Sequence, residues 1–405
     1  MGKKNKRKKW VKFRHKVVRN IAYAVIAPYT FIKYGVKIEP FKEQGNRQYL
    51  VLMNHQTAFD QFFLGMALKG PVYYIASEDI FSIGWVSKLL SYLVAPIPIK
   101  KQANDVQAVF HCARVAKEGG TIALFPEGNR TYSGKTEYIK PSVVKLIKAL
   151  KLPVAIMKVE GGYGVHPRWS DVVRKGRMRV YVSGVIEPEE YKGISDEALF
   201  ERIREELYVD ESEIQDFYYH KKSAEYLERA MYVCPDCGLS EFESRKDTIT
   251  CKKCNKKIKY LPSKVLEGCG FEFPFSYVGQ WYDYQKEFVR KLDLSAYLEN
   301  PLYRDEVSLF EVNLYKNKKK LFEKAELSLY GDKMVLLSDG SRMELSFDRV
   351  EVVTVLGKNK LNIYVENKVY QIKGSKRFNA LKYVNIYYHY KNIKEGNTDG
   401  EFLGL

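Results

Sequence analysis

Acidic residues are absent from the first 38 residues of this 405-residue sequence. Residues 1–38 hold twelve Lys and Arg and no Asp or Glu, while the formal net charge of the whole chain is +18. Two thirds of the charge excess therefore lie in one short segment. Such a segment suits a polyanion, and both nucleic acid and an anionic lipid surface qualify.

This basic region also lacks an apolar run long enough to cross a bilayer. The apolar residues 21–32 are interrupted by Pro28, and the segment is shorter than the ~20 residues that a spanning helix needs. No small-residue cleavage pattern follows, which disfavours a signal peptide. We interpret residues 1–40 as a segment that lies on an anionic membrane surface. The alternative is a core helix with a solvated basic tail.

Cysteine is scarce, and its spacing indicates a metal site rather than a disulfide framework. Four of the six cysteines form two C-x2-C pairs that are thirteen residues apart, namely Cys234, Cys237, Cys251 and Cys254. Four thiolates at this spacing predict a structural Zn²⁺ site of the zinc-ribbon type in a reducing cytoplasm. Cys269 is predicted to be a small buried residue.

The loop after the first buried strand contains neither serine nor cysteine. Apolar residues 49–53 predict that strand, and His55 follows at its carboxyl end, where open α/β sheets hold their ligands. Asp60 lies five residues further on, so the chain must turn to bring the carboxylate onto the imidazole. Such a pair is a general base. Since Thr57 is the only hydroxyl in the loop, the base would activate a hydroxyl of the substrate. A structural histidine is the alternative.

A second block follows about seventy residues downstream, where residues 120–125 read as a strand that leads into Pro126-Glu127-Gly128-Asn129-Arg130. Together the two blocks resemble the glycerophospholipid acyltransferase family, whose members carry an N-H-x4-D block and an F-P-E-G-(T/N)-R block at this separation. The resemblance covers roughly residues 40–210. It implies that His55 is the catalytic base and that Asp60 holds it.

The same resemblance implies a binding site for the acceptor's phosphate. Arg130 is suited to it because guanidinium offers two parallel donors, although a surface turn fits the same residues. Glu127 would orient Arg130 or hydrogen-bond the acceptor's glycerol, and Gly128 would let the backbone approach the substrate. The family has a further block that ends in Arg, where this chain has Lys100 and Lys101. These lysines supply charge without a bidentate fork, or they are a solvated pair.

Strands and helices alternate across residues 41–210, which predicts an α/β acyltransferase domain with a mixed sheet. Asp105 is a candidate N-cap for one of its helices. We interpret His111 and Cys112 on that helix as packing residues, since no base for a catalytic thiol lies nearby. The apolar face of this helix is predicted to consist of Val106, Val109, Phe110 and Ala113.

Four further segments are expected: a connecting helix at 211–232, the zinc ribbon at 233–262, a linker at 263–304, and a C-terminal all-β domain at 305–395. A helix that starts near Ser375 closes the last domain, which resembles PH-like domains in topology. Its strands are predicted from alternating runs at residues 325–330, 333–337, 342–347, 350–356, 361–365 and 369–372.

The resemblance implies acyl transfer from acyl-CoA or acyl carrier protein to the free hydroxyl of 1-acyl-sn-glycerol-3-phosphate, which gives phosphatidic acid. The expected location is the cytoplasmic face of a membrane, with the protein peripheral or monotopic. Two alternatives stay open: a different acceptor, such as another lysolipid or glycerol-3-phosphate, and a non-catalytic membrane adaptor. The ribbon or the PH-like domain is expected to bind a protein partner, and nucleic acid is not expected. Chelation of the metal is expected to unfold the ribbon and to spare the chemistry of residues 1–230, and the isolated fragment 1–230 is expected to be catalytic.

Overall fold

The computed structural model describes residues 9–77, 85–99, 106–312, 318–366, 368–397 and 400–404. These residues form two compact units that interleave along the chain. The first unit comprises Met1–Asn129, Ile139–Glu160 and Met178–Val209, and the second unit comprises Arg130–Tyr138, Gly161–Arg177 and Asp210–Leu405.

Ten α-helices lie in the described part of the chain. They are α1 (Phe13–Tyr34), α2 (Asp60–Ala67), α3 (Trp85–Leu93), α4 (Val106–Lys117), α5 (Ser142–Leu150), α6 (Gly162–Val165), α7 (Pro188–Lys192), α8 (Asp196–Leu207), α9 (Val278–Arg290) and α10 (Leu381–Lys394).

The first unit is built on a seven-stranded mixed sheet. Its strands are β1 (Val36–Ile38), β2 (Leu50–Met53), β3 (Val72–Ser77), β4 (Ile97–Ile99), β5 (Thr121–Leu124), β6 (Val154–Glu160) and β7 (Met178–Ile186). The spatial order is β1-β7-β6-β2-β5-β3-β4, and among these neighbours only β6 and β7 pair antiparallel. The predicted α/β architecture with a mixed sheet is confirmed. Strand β2 lies near the middle, which explains why all four of its residues are apolar and buried.

Helices α4, α5 and α8 pack in the core of the first unit. The predicted apolar face of α4 was wrong, because Val106 and Phe110 are exposed. The buried face is shifted by two positions and consists of Ala108, Cys112, Val115 and Ala116. Small side chains on this face let the helix approach the sheet closely, whereas a pattern based on large apolar residues selects the opposite side.

Helix α1 packs on the first unit by one face. His15 is buried, with Nδ1 3.0 Å from the Tyr73 hydroxyl, and Arg19 donates to the carbonyl of Leu68 at 2.6 Å. Burial, together with the charges of Arg14 and Lys12, lowers the pKa of His15. Apolar side chains from Phe13 near the start of α1 to Ile32 near its end are exposed.

The second unit contains three antiparallel groups of strands. A hairpin of β8 and β9 and a four-stranded sheet carry the cysteines, and a seven-stranded sheet has the order β17-β16-β15-β14-β20-β19-β18. The strands are β8 (Val233–Cys234), β9 (Gly238–Leu239), β10 (Phe242–Arg245), β11 (Thr248–Cys251), β12 (Lys257–Tyr260), β13 (Leu266–Gly268), β14 (Tyr303–Val312), β15 (Lys319–Leu329), β16 (Lys333–Ser338), β17 (Ser341–Ser346), β18 (Val350–Leu356), β19 (Lys360–Val365) and β20 (Lys368–Gly374).

The all-β C-terminal part with a final helix agrees with the sequence prediction, since the six predicted runs correspond to β15–β20 and α10 packs against β18. Strand β14 has no counterpart among those runs. Its consecutive charges Arg304, Asp305 and Glu306 conceal the alternation of a strand.

The helix predicted over residues 211–232 is wrong. The segment consists of turns with one short 3₁₀ helix, Leu227–Arg229. Some of its backbone amides donate within tight turns, such as Leu227 to Ala224, whereas others donate to distant carbonyls, Tyr218 to Pro262 and Ala224 to Lys246. These long-range bonds replace the i→i−4 ladder of a helix.

The predicted linker at residues 263–304 is also folded. It contains β13 and α9, and α9 buries Trp281, Tyr282 and Val289 in the core of the second unit. Helix α9 therefore belongs to that core. Cys269, which was predicted to be buried, is exposed.

Candidate active site

The register of β2 and β5 brings the starts of the two sequence blocks to one edge of the first sheet. The strands pair in parallel, with Leu50 opposite Ile122 and Leu52 opposite Leu124. This offset of 72 residues places the loop after β2 beside the loop after β5, at the carboxyl ends of both strands. Ligands of α/β proteins bind at such an edge.

Asn54 fixes the start of the first loop. Its Nδ2 donates to the carbonyl of Val159 at 2.9 Å, and its Oδ1 accepts from the Val159 amide at 2.8 Å. The side chain thus bonds to the backbone of β6 as a strand residue would. Because Asn54 is buried, these two bonds keep its amide group satisfied and hold the next residue, His55, at the sheet edge.

The predicted contact between His55 and Asp60 is present. His55 Nδ1 lies 2.8 Å from Asp60 Oδ2, and the Asp60 side chain is 0% exposed while that of His55 is 18% exposed. An ionised carboxylate only accepts hydrogen bonds, so Nδ1 carries the proton. Nε2 is then the nitrogen that can take a proton from another molecule.

Asp60 is held by donors on three sides. Its Oδ2 also accepts from the backbone amides of Gln56 at 2.7 Å and Thr57 at 2.9 Å, and its Oδ1 accepts from the Thr57 hydroxyl at 2.6 Å. Asp60 is the first residue of α2, where the helix dipole favours a negative charge. The loop therefore folds around the carboxylate and sets the position of the imidazole.

Two residues of the second block contact His55. The Phe125 ring stacks on the imidazole with 4.2 Å between ring centroids and 23° between planes. Glu127 Oε1 accepts from the His55 backbone amide at 2.7 Å. The sequence did not predict either contact, because both depend on the register of β2 with β5. The only feature of the sequence that indicated these contacts was that each of the two blocks directly follows a predicted strand.

Gly128 permits the turn that directs Glu127 towards His55. Its amide donates to the Phe125 carbonyl at 2.9 Å, and its φ of +70° is unfavourable for other residues. A β-carbon at this position would meet no protein atom within 4 Å. Backbone conformation, rather than crowding within the protein, therefore requires glycine here.

The hydroxyl of Thr57 and the thiol of Cys112 are poor nucleophiles. Thr57 is fully buried and its hydroxyl donates to Asp60. Cys112 is buried within α4, and burial raises the pKa of its thiol to about 12, so it is protonated at neutral pH. The arrangement is therefore that of a positioned base that acts on a hydroxyl of a bound molecule.

Arg130 lies in the second unit, three residues after Glu127. Its backbone carbonyl accepts from Arg168 Nη1 at 2.9 Å, and its side chain is half-buried. Lys100 and Lys101, which were predicted to bind phosphate, lie outside the described residues. The roles of these three cations stay predictions.

The four paired cysteines of the second unit converge. Their sulfur atoms all lie within 4.8 Å of one another, and Cys234 Sγ is 3.9 Å from Cys254 Sγ. Tetrahedral Zn²⁺ with Zn–S bonds of about 2.3 Å separates its sulfurs by about 3.8 Å, so the cluster fits this ion. In both turns the residue after the second cysteine, Gly238 or Asn255, has a positive φ, which lets the two knuckles adopt the same conformation.

The matches to known proteins each cover less than half of the chain. A family model described as Acyltransferase matches residues 35–159. The chain is 24% identical over 191 residues to the chloroplastic 1-acyl-sn-glycerol-3-phosphate acyltransferase BAT2 of Brassica napus, which covers 46% of this chain and 54% of that protein. It is 23% identical over 175 residues to the chloroplastic 1-acyl-sn-glycerol-3-phosphate acyltransferase LPAT1 of Arabidopsis thaliana, covering 42% and 48%. The chain spans about half the length of these relatives.

Among solved structures, the chain is similar to the 1-acyl-sn-glycerophosphate (LPA) acyltransferase PlsC of Thermotoga maritima. The TM-score is 0.39 at 23% sequence identity, and the match covers 48% of this chain and 76% of that chain.

Proposed function

We propose, from the match of residues 35–159 to the acyltransferase family model, that the protein moves a fatty acyl group from a thioester carrier to the free hydroxyl of a lysophospholipid. The specific reaction is the acylation of 1-acyl-sn-glycerol-3-phosphate, which gives phosphatidic acid. The donor is acyl-CoA or acyl carrier protein. The observation that carries this proposal is the hydrogen bond of 2.8 Å between His55 and the fully buried Asp60.

The proposed reaction is direct transfer. His55 Nε2 takes the proton of the acceptor's hydroxyl as its oxygen attacks the thioester carbonyl. The new C–O bond replaces the C–S bond, and the carrier leaves as a thiol after it recovers a proton from the imidazolium. Asp60 stabilises the positive charge that the imidazole carries in between. This route forms no acyl-enzyme, in keeping with the burial of Thr57 and Cys112.

Arg130 is assigned to the phosphate of the acceptor, with Lys100 or Lys101 as further cations. A guanidinium binds two phosphate oxygens in parallel, which an ammonium group does not. Glu127 and Gly128 are assigned to the acceptor side of the same loop. The contact between Glu127 and the His55 amide supports a second task for Glu127, which is to keep the base in place.

A membrane surface with anionic lipid is the proposed location, on the cytoplasmic face. None of the described helices combines the length and hydropathy needed to cross a bilayer. Apolar side chains are nevertheless exposed on α1, α3 and α4, and α1 contacts α3 where Arg14 donates to the Tyr92 carbonyl at 3.0 Å. We name these residues the apolar surface: Phe13, Val17, Ile21, Val25, Phe31, Ile32, Trp85, Leu89, Tyr92, Val106 and Phe110. Exposed apolar side chains beside a basic segment are typical of interfacial binding.

The cysteine cluster is assigned a structural Zn²⁺ ion. When bound, zinc would join the two knuckles and so stabilise the second unit. With four protein ligands it leaves no position for substrate. A PH-like character of the C-terminal sheet, with a protein partner for it or for the ribbon, is a further proposal, supported by seven antiparallel strands and the final helix α10.

An acceptor panel with the full-length protein tests the function. We expect transfer from oleoyl-CoA or oleoyl-acyl carrier protein to 1-oleoyl-sn-glycerol-3-phosphate that exceeds transfer to the unphosphorylated 1-oleoylglycerol by at least about 10-fold, because an acceptor without phosphate leaves the hydrogen-bond donors of the site unpaired. If the protein prefers glycerol-3-phosphate or a lyso-aminolipid, the proposed acceptor is wrong and the proposed transfer to a hydroxyl is retained. Absence of transfer to every acceptor would favour a non-catalytic membrane adaptor.

A further inference from the structure

The segment that begins with Arg130 is held by the second unit, along one side of its backbone. The carbonyl of Arg130 accepts from Arg168 Nη1 at 2.9 Å, and that of Tyr132 accepts from the Tyr163 hydroxyl at 3.2 Å. The carbonyl of Gly134 accepts from the Glu211 amide at 3.0 Å. Three alternate carbonyls are thus fixed, and of these donors only Arg168 acts at Arg130 itself.

Arg168 joins this segment to the C-terminal sheet. Its Nη2 donates to the carbonyl of Val355 at 3.2 Å. Val355 lies in β18, the last strand in the order of the described sheet. A guanidinium is planar and rigid, and two of its nitrogens therefore fix the distance between the Arg130 carbonyl and β18.

The surroundings of Arg168 leave it little freedom. The side chain is 2% exposed, and its guanidinium lies 4.5 Å above the centre of the Tyr132 ring. The next residues are also anchored, because Arg229 Nη1 donates to the Trp169 carbonyl at 2.8 Å and Lys358 Nζ bonds Asp171 Oδ1 at 2.8 Å. The backbone that carries Arg168 is therefore held rigidly.

We propose that Arg168 is a positioning residue for Arg130, through which strand β18 of the C-terminal sheet sets the affinity for the acceptor's phosphate. This inference rests on the proposed function of Arg130. It gives the C-terminal sheet a task in acceptor binding, in addition to any partner that it has. Arg168 itself does not touch the substrate in this proposal.

Arg174 provides a matched control within the same unit. It is 1% exposed, and it too bridges two backbone carbonyls, with Nη1 3.0 Å from the Gly164 oxygen and Nη2 bonded to that of Ser223. Its guanidinium lies over the rings of Trp169 and Tyr260. A substitution at Arg174 therefore costs comparable buried bonds without removing a bond to Arg130.

The test uses full-length Arg168→Met, Arg168→Lys and Arg174→Lys, with 1-oleoyl-sn-glycerol-3-phosphate as acceptor and saturating oleoyl-CoA as donor. We expect Arg168→Met to raise KM for the acceptor by about 10-fold or more with kcat changed by less than about threefold, because a displaced binding group weakens substrate binding without removing the base. Arg168→Lys keeps one donor and should recover part of the loss. Arg174→Lys should lower the melting temperature as much as Arg168→Lys does and leave KM unchanged.

Hydrogen exchange of the backbone amides of residues 130–134 gives a readout that does not depend on activity. We expect faster exchange in both Arg168 variants and wild-type exchange in Arg174→Lys. The proposal would be overturned if Arg168→Lys changed neither KM nor the exchange rates. It would also be overturned if Arg174→Lys raised KM as much as the Arg168 variants do. If Arg168→Met does not fold, Arg168→Lys decides the test. If the wild type fails to acylate the acceptor, the proposed function and the acceptor role both fail, whereas the exchange data still show whether Arg168 holds the segment.

Discussion

At the scale of single residues, the sequence predicted the contact between His55 and Asp60 but not the residues that hold this pair in place. The contact of His55 with Asp60 follows from the strand before them and from the short distance between them along the chain. The bond from Asn54 to β6 joins residues that are 105 positions apart, and the bond from His55 to Glu127 joins residues that are 72 positions apart. They depend on which strands are neighbours, and local apolar patterns carry no information about that.

Asp60→Asn tests the role of the carboxylate. Asparagine has nearly the same shape and can still accept from the Gln56 and Thr57 amides, but it carries no charge to stabilise the imidazolium. We expect kcat for acyl transfer to fall by about 10³-fold or more. Thr57→Val removes one hydrogen bond to Asp60 and leaves the charge, so its effect should be about 10-fold. Equal, small effects of the two substitutions would contradict the assigned role of the charge.

At the scale of elements, the prediction of a buried helix face failed where large apolar residues are exposed rather than packed in the core of the first unit. Helix α4 buries small side chains and exposes Val106 and Phe110, which the periodicity of large apolar residues places inside. Helix α1 also exposes apolar residues, and the proposed position of α1 on a membrane surface would explain this exposure. The prediction of a helix over residues 211–232 failed for another reason. Some amides of this segment, such as those of Tyr218 and Ala224, bond to distant carbonyls that the sequence does not reveal.

Ile32→Ser tests the membrane role of α1. Ile32 is 87% exposed, and Ile393 on α10 is 59% exposed, so Ile393→Ser is a matched control that removes the same side chain from another exposed helix. Moving an isoleucine side chain out of water is worth about 1.5–3 kcal/mol. We expect Ile32→Ser to weaken binding to vesicles of phosphatidylcholine and phosphatidylglycerol by about 10-fold or more, as measured by cosedimentation. If the two variants bind vesicles equally well, the proposed contact of Ile32 with lipid is contradicted.

At the scale of the whole molecule, the sequence predicted an α/β part with a mixed sheet and an all-β C-terminal part but could not predict how the chain divides into units. Residues 130–138 and 161–177 lie within the part that resembles the acyltransferase family, yet they pack in the second unit. Tyr132, Tyr163 and Trp169 from these segments are in its hydrophobic core. Unit membership is set by such long-range packing, whereas sequence patterns report which face of one element is apolar.

This division changes the expectation for metal removal. The first knuckle is bonded to α9, because Trp281 Nε1 donates to the Val233 carbonyl at 2.8 Å and the amides of Tyr232 and Val233 donate to Gln285 Oε1. Loss of the ion should therefore loosen the core that holds the Arg130 segment. We expect chelator-treated full-length protein to lose one Zn²⁺ per chain, measured by atomic absorption, and KM for the acceptor to rise.

The earlier expectation that a fragment of residues 1–230 keeps full catalysis is revised for the same reason. Such a fragment lacks most of the core around Tyr132 and Trp169, so its acceptor affinity should be low. A fragment that matches the KM of the full-length protein, or metal-free protein with unchanged KM, would show that the second unit has no part in acceptor binding.

The most direct test of the central claim is the rate of acyl transfer by His55→Ala, measured with 1-oleoyl-sn-glycerol-3-phosphate and oleoyl-CoA beside its melting temperature and its vesicle binding. His55 is partly exposed at the sheet edge, so the substitution should leave folding and lipid binding intact while turnover falls by about 10³-fold or more. Wild-type turnover by a folded, lipid-bound His55→Ala protein would contradict the assignment of His55 as the base.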